Sequence, residues 1–387
     1  MVTPAISAGG DFGGAYRGRR VLVTGHTGFK GAWLSEWLLA LGAEVTGLAL
    51  APNTEPALFD QLGLAGRLRH VVGDIRDPGV VQRVVDETAP DFLFHLAAQP
   101  LVRLSYDIPV ETYATNVMGT VHVMDALRLH VAREGRPVTA VMITTDKCYE
   151  NREWVHSYRE EDPMGGYDPY SSSKGAAEIA IASYRRSYFS APTSLVTLAS
   201  ARAGNVIGGG DWALDRIVPD CIRALETGCA IPVRNKVATR PWQHVLEPLS
   251  GYLTVGAALA GAMKTPFSAE VYRSAFNFGP DLTSNRTVAD LVREVLRHWP
   301  GEWVDQSDPS AVHEAKLLNL ATDKAFHLLG WKPAWNFEET IAETVAWYRD
   351  SRDCDAAKDY QALTLRQISE YTARARERHV AWAETHR

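Results

Sequence analysis

One turn near the start constrains this chain more than any other stretch. Residues 21–24, Val-Leu-Val-Thr, have the length and composition of a short buried strand, and residues 29–41 have helical periodicity. Between them lies Thr24-Gly25-His-Thr-Gly28-Phe-Lys-Gly31. Glycines at a strand-to-helix turn let the backbone fold tightly and approach a pyrophosphate, which then meets the N–H groups and positive dipole end of the helix. Gly25, Thr27, Gly28, Phe29, Lys30 and Gly31 are therefore candidate cofactor contacts. The spacing is Gly-x-x-Gly-x-x-Gly rather than Gly-x-Gly-x-x-Gly, so the turn alone also fits an ordinary strand–helix junction.

The alternation continues downstream. Strand-like runs at 44–50, 70–73, 91–97, 139–144 and 195–201 are separated by helical stretches at 78–87, 110–131 and 170–188. This pattern predicts an α/β fold, a Rossmann-type doubly wound parallel sheet with helices on both faces. The pattern changes after Asn205. Glycines mark 206–212 as a loop, helices are expected at 215–227, 244–261, 287–299, 322–329 and 337–348, and a short strand at 275–278. The expected organisation is a loose tail over 1–18, a nucleotide-binding domain over 19–203 and a smaller α/β substrate lobe over 204–387, with segments crossing between the two.

Composition removes several function classes. A net charge of −6 on 387 residues leaves no electrostatic footprint for nucleic acid. Four cysteines show neither metal-ligand spacing nor a disulfide framework, which points to a reducing compartment. No apolar run reaches membrane-spanning length and no signal-peptide pattern opens the chain, so a cytoplasmic location is expected.

Chemistry concentrates in two neighbouring runs. Tyr170 and Lys174 stand four positions apart at a helix start and share one face. A lysine there lowers the phenol pKa and binds a nicotinamide ribose, so that the phenolate can take a carbinol proton as hydride departs. Upstream, Thr145 ends the fifth strand, with Asp146 and Lys147 beside it where ligands sit in open α/β sheets. A plain dehydrogenase needs no such acid and amine; they suggest elimination in addition to oxidation. A capping threonine and a solvated ion pair remain the plainer alternatives. Asn116 either organises the active-site backbone or fills a helix interface. The second strand ends without a carboxylate or an arginine for the adenine ribose, which favours NAD over NADP, and Asp74 either contacts the adenine or caps a turn.

Together these runs resemble the nucleotide-sugar 4,6-dehydratases of the extended short-chain dehydrogenase/reductase superfamily. The resemblance rests on residues 24–31, His-Leu-Ala-Ala at 95–98, Tyr170-x-x-x-Lys174 and Leu-Gly-Trp-Lys-Pro at 329–333. Residues 145–151, 204–212 and 240–249 extend it to the branch that acts on CDP-glucose. It implies bound NAD, with Ile75, Leu96, Ala97 and Ala98 adding to the cofactor wall, and CDP-glucose as substrate. It implies that Tyr170 and Thr145 oxidise C4, that Asp146 protonates the leaving 6-hydroxyl, and that Lys147 either moves the C5 proton or stabilises the enolate. It places Arg240 at the diphosphate, Asn205 and Asn277 at the nucleotide and Gln99 at the sugar, and implies a homodimer or homotetramer. A 4-epimerase shares the tyrosine and lysine but needs no acid for a leaving hydroxyl. A non-catalytic NAD sensor would not need Tyr170 and Lys174.

Overall fold

Seven parallel strands form the central sheet: β1 (Arg20–Thr24), β2 (Glu44–Ala49), β3 (Arg69–Val72), β4 (Phe92–His95), β5 (Val138–Ile143), β6 (Val196–Ala203) and β7 (Ala275–Phe278). Their order is β7-β6-β5-β4-β1-β2-β3. The computed structural model describes residues 10–191, 193–263, 267–307 and 317–384. The doubly wound parallel sheet expected from the strand–helix alternation is present, and the order reverses at β1, which puts a switch-point crevice beside the glycine turn.

Side chains alternate across this sheet. Val21, Val23, Phe92, Phe94 and Val141 enter one core, with Trp33 and Trp37 of α1 (Phe29–Ala40). Leu22, Leu93, Ala140 and Met142 enter the other. The second core is roofed by α2 (Pro78–Thr88), α3 (Gly119–Glu134) and α4 (Pro169–Ser187) through Val81, Val85, Met124, Leu127 and Ile181. On the first face lies α5 (Leu246–Leu259), buried along its whole length against β5 and β6. A helix with no polar side belongs inside, and its place between sheet and C-terminal helices satisfies that.

Several elements depart from expectation. The strand 275–278, expected in the substrate lobe, joins the main sheet beside β6. The helix expected over 110–131 is broken by a wide π-type turn at Ala114–Met118. There Asn116 turns inward: its Oδ1 accepts from Gln99 N at 2.9 Å and its Nδ2 donates to Ser173 Oγ at 2.9 Å. Such bulges re-aim a side chain at the cost of one regular hydrogen bond.

The loose tail expected over 1–18 is not loose from residue 10 onward; residues 1–9 lie outside the described part. Phe12 is fully buried and stacks on Trp382 with ring centroids 4.7 Å apart. Asp11 accepts from Arg376 Nη2 at 2.5 Å. The reason lies at the other end of the chain, in a segment to which the sequence pattern assigns no element. Residues 357–377 form a long helix, α7 (Ala357–Glu377), which packs on α1 and on α6 (Phe337–Ser351) and leaves an aromatic slot for Phe12.

Candidate active site

The carboxyl ends of β1, β4, β5 and β6 and the start of α4 converge on one crevice. The glycine turn after β1 is tight enough to exclude side chains. Gly25 has φ +78°, and a Cβ there would lie 2.7 Å from Ala97 N. A Cβ on Gly31 would lie 2.1 Å from Gly25 O. Gly28 caps α1 without a side chain, so the first N–H groups of the helix face the crevice unclaimed by a capping side chain. Thr27 Oγ1 donates to Leu50 O at 2.9 Å, fixing the turn to the end of β2. This cradle suits a diphosphate approaching the backbone.

The remaining candidate cofactor contacts surround it. Leu96, Ala97 and Ala98 follow β4, and Ala97 N donates to Thr24 Oγ1 at 3.3 Å. Ile75 is buried under Gly119, where an added Cβ would come within 2.5 Å of its Cδ1. Asp74 is held by Arg76, whose hydrogen bonds bring its carboxyl below the usual range. Arg76 is also met by Glu111 at 3.1 Å. Lys30 turns toward the reaction centre. Its Nζ donates to Tyr252 OH at 3.4 Å, and burial, then the charge of Arg216, lower it to about 8.

Thr145, Asp146 and Lys147 form a single turn after β5. Thr145 Oγ1 donates to Asp146 Oδ1 at 2.9 Å, and the Thr145 hydroxyl stands by the Tyr170 phenol, whose anion it favours. Asp146 is buried, 4.0 Å from Lys147 Nζ, which in turn donates to Asn205 Oδ1 at 3.3 Å. Gly204 makes room for this carboxylate: a Cβ there would sit 2.8 Å from Asp146 Oδ2. Five candidate residues, Thr145, Asp146, Lys147, Tyr170 and Asn205, thus form one connected group.

Burial raises the Tyr170 phenol to about 12; the Thr145 hydroxyl opposes this, the Asp146 charge adds to it, and Arg216 opposes it. The cation that acts most on the phenol is thus Arg216, not Lys174. Arg216 is anchored on Asp211 Oδ2 at 2.8 Å. The Lys174 ammonium lies deep in the wall, where burial lowers it to about 8 and Glu178 pulls it back up.

Two expected substrate contacts are engaged inside the protein. Asn277 on β7 is fully buried; its Oδ1 accepts from Tyr149 OH at 2.7 Å and its Nδ2 donates to Tyr158 O at 2.9 Å. The incorporation of β7 into the main sheet draws it inward, so it shapes the wall instead of presenting an amide to a ligand. Gln99 is bound within its own turn, with Nε2 on Leu101 O and Thr112 Oγ1 and Oε1 on Leu101 N. Arg240 lies on the short strand Thr239–Pro241, directly across from Arg286 on Asn285–Thr287. Pro241, next to Arg240 in the chain, lines a small cavity with Gly204, Gly279, Pro280 and Asn319, whereas the Arg286 guanidinium lies over the Phe337 ring.

Arg216, Arg286, Gly204 and Glu178 are not singled out by the sequence pattern. Glu178 has a signal, since it lies four residues beyond Lys174 on the same helix face. Gly204 opens the run 204–212 that carries part of the resemblance, and nothing in local sequence marks Arg216 or Arg286.

A family model described as GDP-mannose 4,6 dehydratase matches residues 22–344. The chain belongs to this family. It is 45% identical to a CDP-glucose 4,6-dehydratase of Salmonella typhimurium, over 92% of this chain and 97% of that relative. It is 30% identical to a dTDP-glucose 4,6-dehydratase of Streptomyces antibioticus, over 86% and 93% of the two chains. Among solved structures it is similar to DesIV, a dTDP-glucose 4,6-dehydratase from Streptomyces venezuelae with NAD and TYD bound. That match has a TM-score of 0.71 and 26% identity, covering 86% of this chain and 98% of that one. A UDP-glucose 4-epimerase from Thermotoga maritima shares the fold at 21% identity and a TM-score of 0.69, over 86% of this chain and 99% of that one.

Proposed function

We propose that this protein converts CDP-glucose to CDP-4-dehydro-6-deoxyglucose, a deoxysugar precursor, with NAD held throughout the cycle. The observation that carries the reading is the connected group Tyr170–Thr145–Asp146–Lys147 in a chain 45% identical to a CDP-glucose 4,6-dehydratase. NAD fits the cradle in which Gly25 and Gly31 leave no room for a Cβ. Gly25, Thr27, Gly28, Phe29 and Gly31 would hold its diphosphate, with Ile75 and residues 96–98 along its length. When bound, NAD supplies the acceptance of hydride from sugar C4 and its return to C6.

The chain's own residues handle the protons. Tyr170 takes the proton of the C4 hydroxyl while Thr145, beside the same phenol, steadies the oxygen. A C4 ketone acidifies the C5–H bond. Loss of water then requires one proton leaving C5 and one arriving at the C6 oxygen. Lys147 Nζ and Asp146 Oδ1 stand 4.0 Å apart, as a pair acting on adjacent carbons must. Asp146, buried and able to donate when protonated, serves the leaving oxygen, and Lys147 serves C5. Arg240, beside the cavity-lining Pro241, carries the forked donor suited to the substrate diphosphate.

The cofactor side belongs to residues 19–203 and the substrate side to 204–387, apart from β7 and the helices that return to the sheet. We propose association as a homodimer or homotetramer through α3, α4 and the segments before them. Val110, 82% exposed, and Ile179, 60% exposed, stand out there with Tyr113, Met118 and Tyr188. The proposed location is the cytoplasm. No helix among the described residues is long and apolar enough to cross a membrane.

The test is a panel of CDP-, dTDP-, GDP- and UDP-glucose with NAD in deuterated water. The expected result is a 4-keto-6-deoxy product from CDP-glucose, carrying deuterium at C5. A 4-epimer without ketone, or no turnover with any of the four, would overturn the proposal.

A further inference from the structure

Behind the crevice lies a buried ionic group that the proposed chemistry does not use. Glu178, on α4 one turn beyond Lys174, is almost wholly enclosed. Its Oε1 accepts from Thr144 Oγ1 at 2.5 Å, and its Oε2 accepts from Ser200 Oγ at 2.9 Å and from Arg202 Nη2 at 2.8 Å. Arg202 is just as enclosed, and donates onward to Tyr149 OH at 2.6 Å and Glu160 O at 2.9 Å. A buried ion pair of this kind contributes little net stability against a well-packed apolar replacement. The group is also more elaborate than a strand–helix contact requires: three donors from β6 and the end of β5 converge on one carboxylate.

What distinguishes the location is Lys174. Residues four apart on a helix are neighbours, and here both are removed from water. An ammonium in such a place needs a fixed negative charge to remain protonated. The charged and titratable groups around Lys174 are Tyr170, whose phenol burial raises to about 12, and Glu178 on its own helix, Cys148 from the turn after β5, His95 from β4 and Lys30 from α1. His95 is held neutral by burial, at about 3, and burial pushes the Cys148 thiol up, so neither supplies charge near neutrality. Lys30 repels. Glu178 is the anion among them, and despite its burial the Arg202 charge and the Thr144 and Ser200 hydroxyls hold its carboxyl below the usual range.

We infer that Glu178 is a positioning residue, the fixed counter-ion that keeps Lys174 a cation, and that Arg202, Thr144 and Ser200 hold it in that role. The inference rests on the proposed function, in which Tyr170 takes the C4 proton, and adds that Lys174, one turn along the same helix face, supports the phenolate alongside Arg216. Because Arg202 reaches Tyr149, which donates to Asn277 on β7, the same network ties the catalytic helix to the strand contributed from beyond residue 204.

The test is the pH profile of kcat for wild type, Glu178→Gln and Glu178→Asp with CDP-glucose. In wild type the rate falls as pH rises through the pKa of Lys174. Removing the counter-ion lowers that pKa, so the basic limb of Glu178→Gln should move down by at least about one pH unit. That corresponds to a roughly tenfold loss at the alkaline end with little change at the acid end. Glu178→Asp withdraws the carboxylate by one methylene and should give an intermediate limb; it decides the matter if Glu178→Gln does not fold. A rate lowered equally at every pH, or an unmoved basic limb in whichever variant folds, would overturn the inference. Absence of turnover in wild type would instead overturn the proposed function.

Discussion

Replacing Asp146 by asparagine separates the two halves of the proposed chemistry. The substituted amide keeps an oxygen that can accept from Thr145 Oγ1, as the carboxylate does at 2.9 Å, so the turn after β5 should keep its shape. The Asp146→Asn variant loses the proton that the acid would deliver to the C6 oxygen. Removal of a positioned general acid typically slows its step by about 10²–10⁴-fold, or ~3–5 kcal/mol of barrier. The oxidation step responds in the opposite sense. The Asp146 charge raises the Tyr170 phenol, so its removal makes the phenolate easier to form. Overall dehydration should therefore fall by about 10²–10⁴-fold, while oxidation at C4 proceeds at an undiminished rate. A single-turnover experiment with stopped-flow absorbance of the reduced cofactor reads both. Asp146→Asn should accumulate reduced cofactor and release little product, whereas Tyr170→Phe should accumulate none. Equal loss of cofactor reduction and of dehydration in Asp146→Asn would show that Asp146 is not a separate acid for the leaving group.

Two further perturbations test the frame around the site. Phe12→Ala removes a fully buried ring stacked on Trp382 and edge-on to Trp37, which should cost about 3–5 kcal/mol of stability; a loss under ~1 kcal/mol in denaturant titration would mean that the N-terminal plug is not part of the core. Burial lifts the Glu247 carboxyl from 4.5 to about 7, against the donors Trp335 N, Tyr371 OH and Ala334 N. The folded protein therefore keeps this proton where the unfolded chain releases it. The resulting stabilisation is full below pH 4.5 and is lost as pH rises through about 7, ~3 kcal/mol in all. Glu247→Gln lacks this dependence, so its unfolding free energy relative to wild type should drift by that amount across the window; a constant difference would count against a raised carboxyl.

The sheet is legible in the sequence because its signals are local. Central parallel strands are covered on both faces and therefore appear as short unbroken apolar runs, such as Phe92–His95 and Val138–Ile143. The Thr145-Asp146-Lys147 turn is legible for a related reason, since all three lie on consecutive residues at the end of one strand. Asn277 and Gln99 show where this kind of reading stops. Each stands near the crevice in sequence order, but whether an amide faces a ligand or its neighbours depends on contacts such as Tyr149 with Asn277, 128 residues apart. Arg216 escapes the sequence pattern on the same grounds: its charge bears on the phenol from the start of the helix Ile217–Glu226, where Asp211 anchors it. The burial of Phe12 depends on α7 at the other end of the chain, and no short-range pattern in residues 10–18 reports it.

The late arrival of β7 in the sheet has a consequence for synthesis. Until Ala275–Phe278 emerge, β6 is an edge strand whose backbone N–H and C=O groups have no partner on one side. At a translation rate of ~5–20 residues per second, the roughly 75 residues between the ends of β6 and β7 leave that edge bare for several seconds on the ribosome. β6 is also the strand that carries Ser200 and Arg202, the partners of Glu178. A nascent chain therefore exposes the open edge of β6 until Ala275–Phe278 have been made, and this interval is when the protein is most open to intermolecular strand pairing and to capture by chaperones.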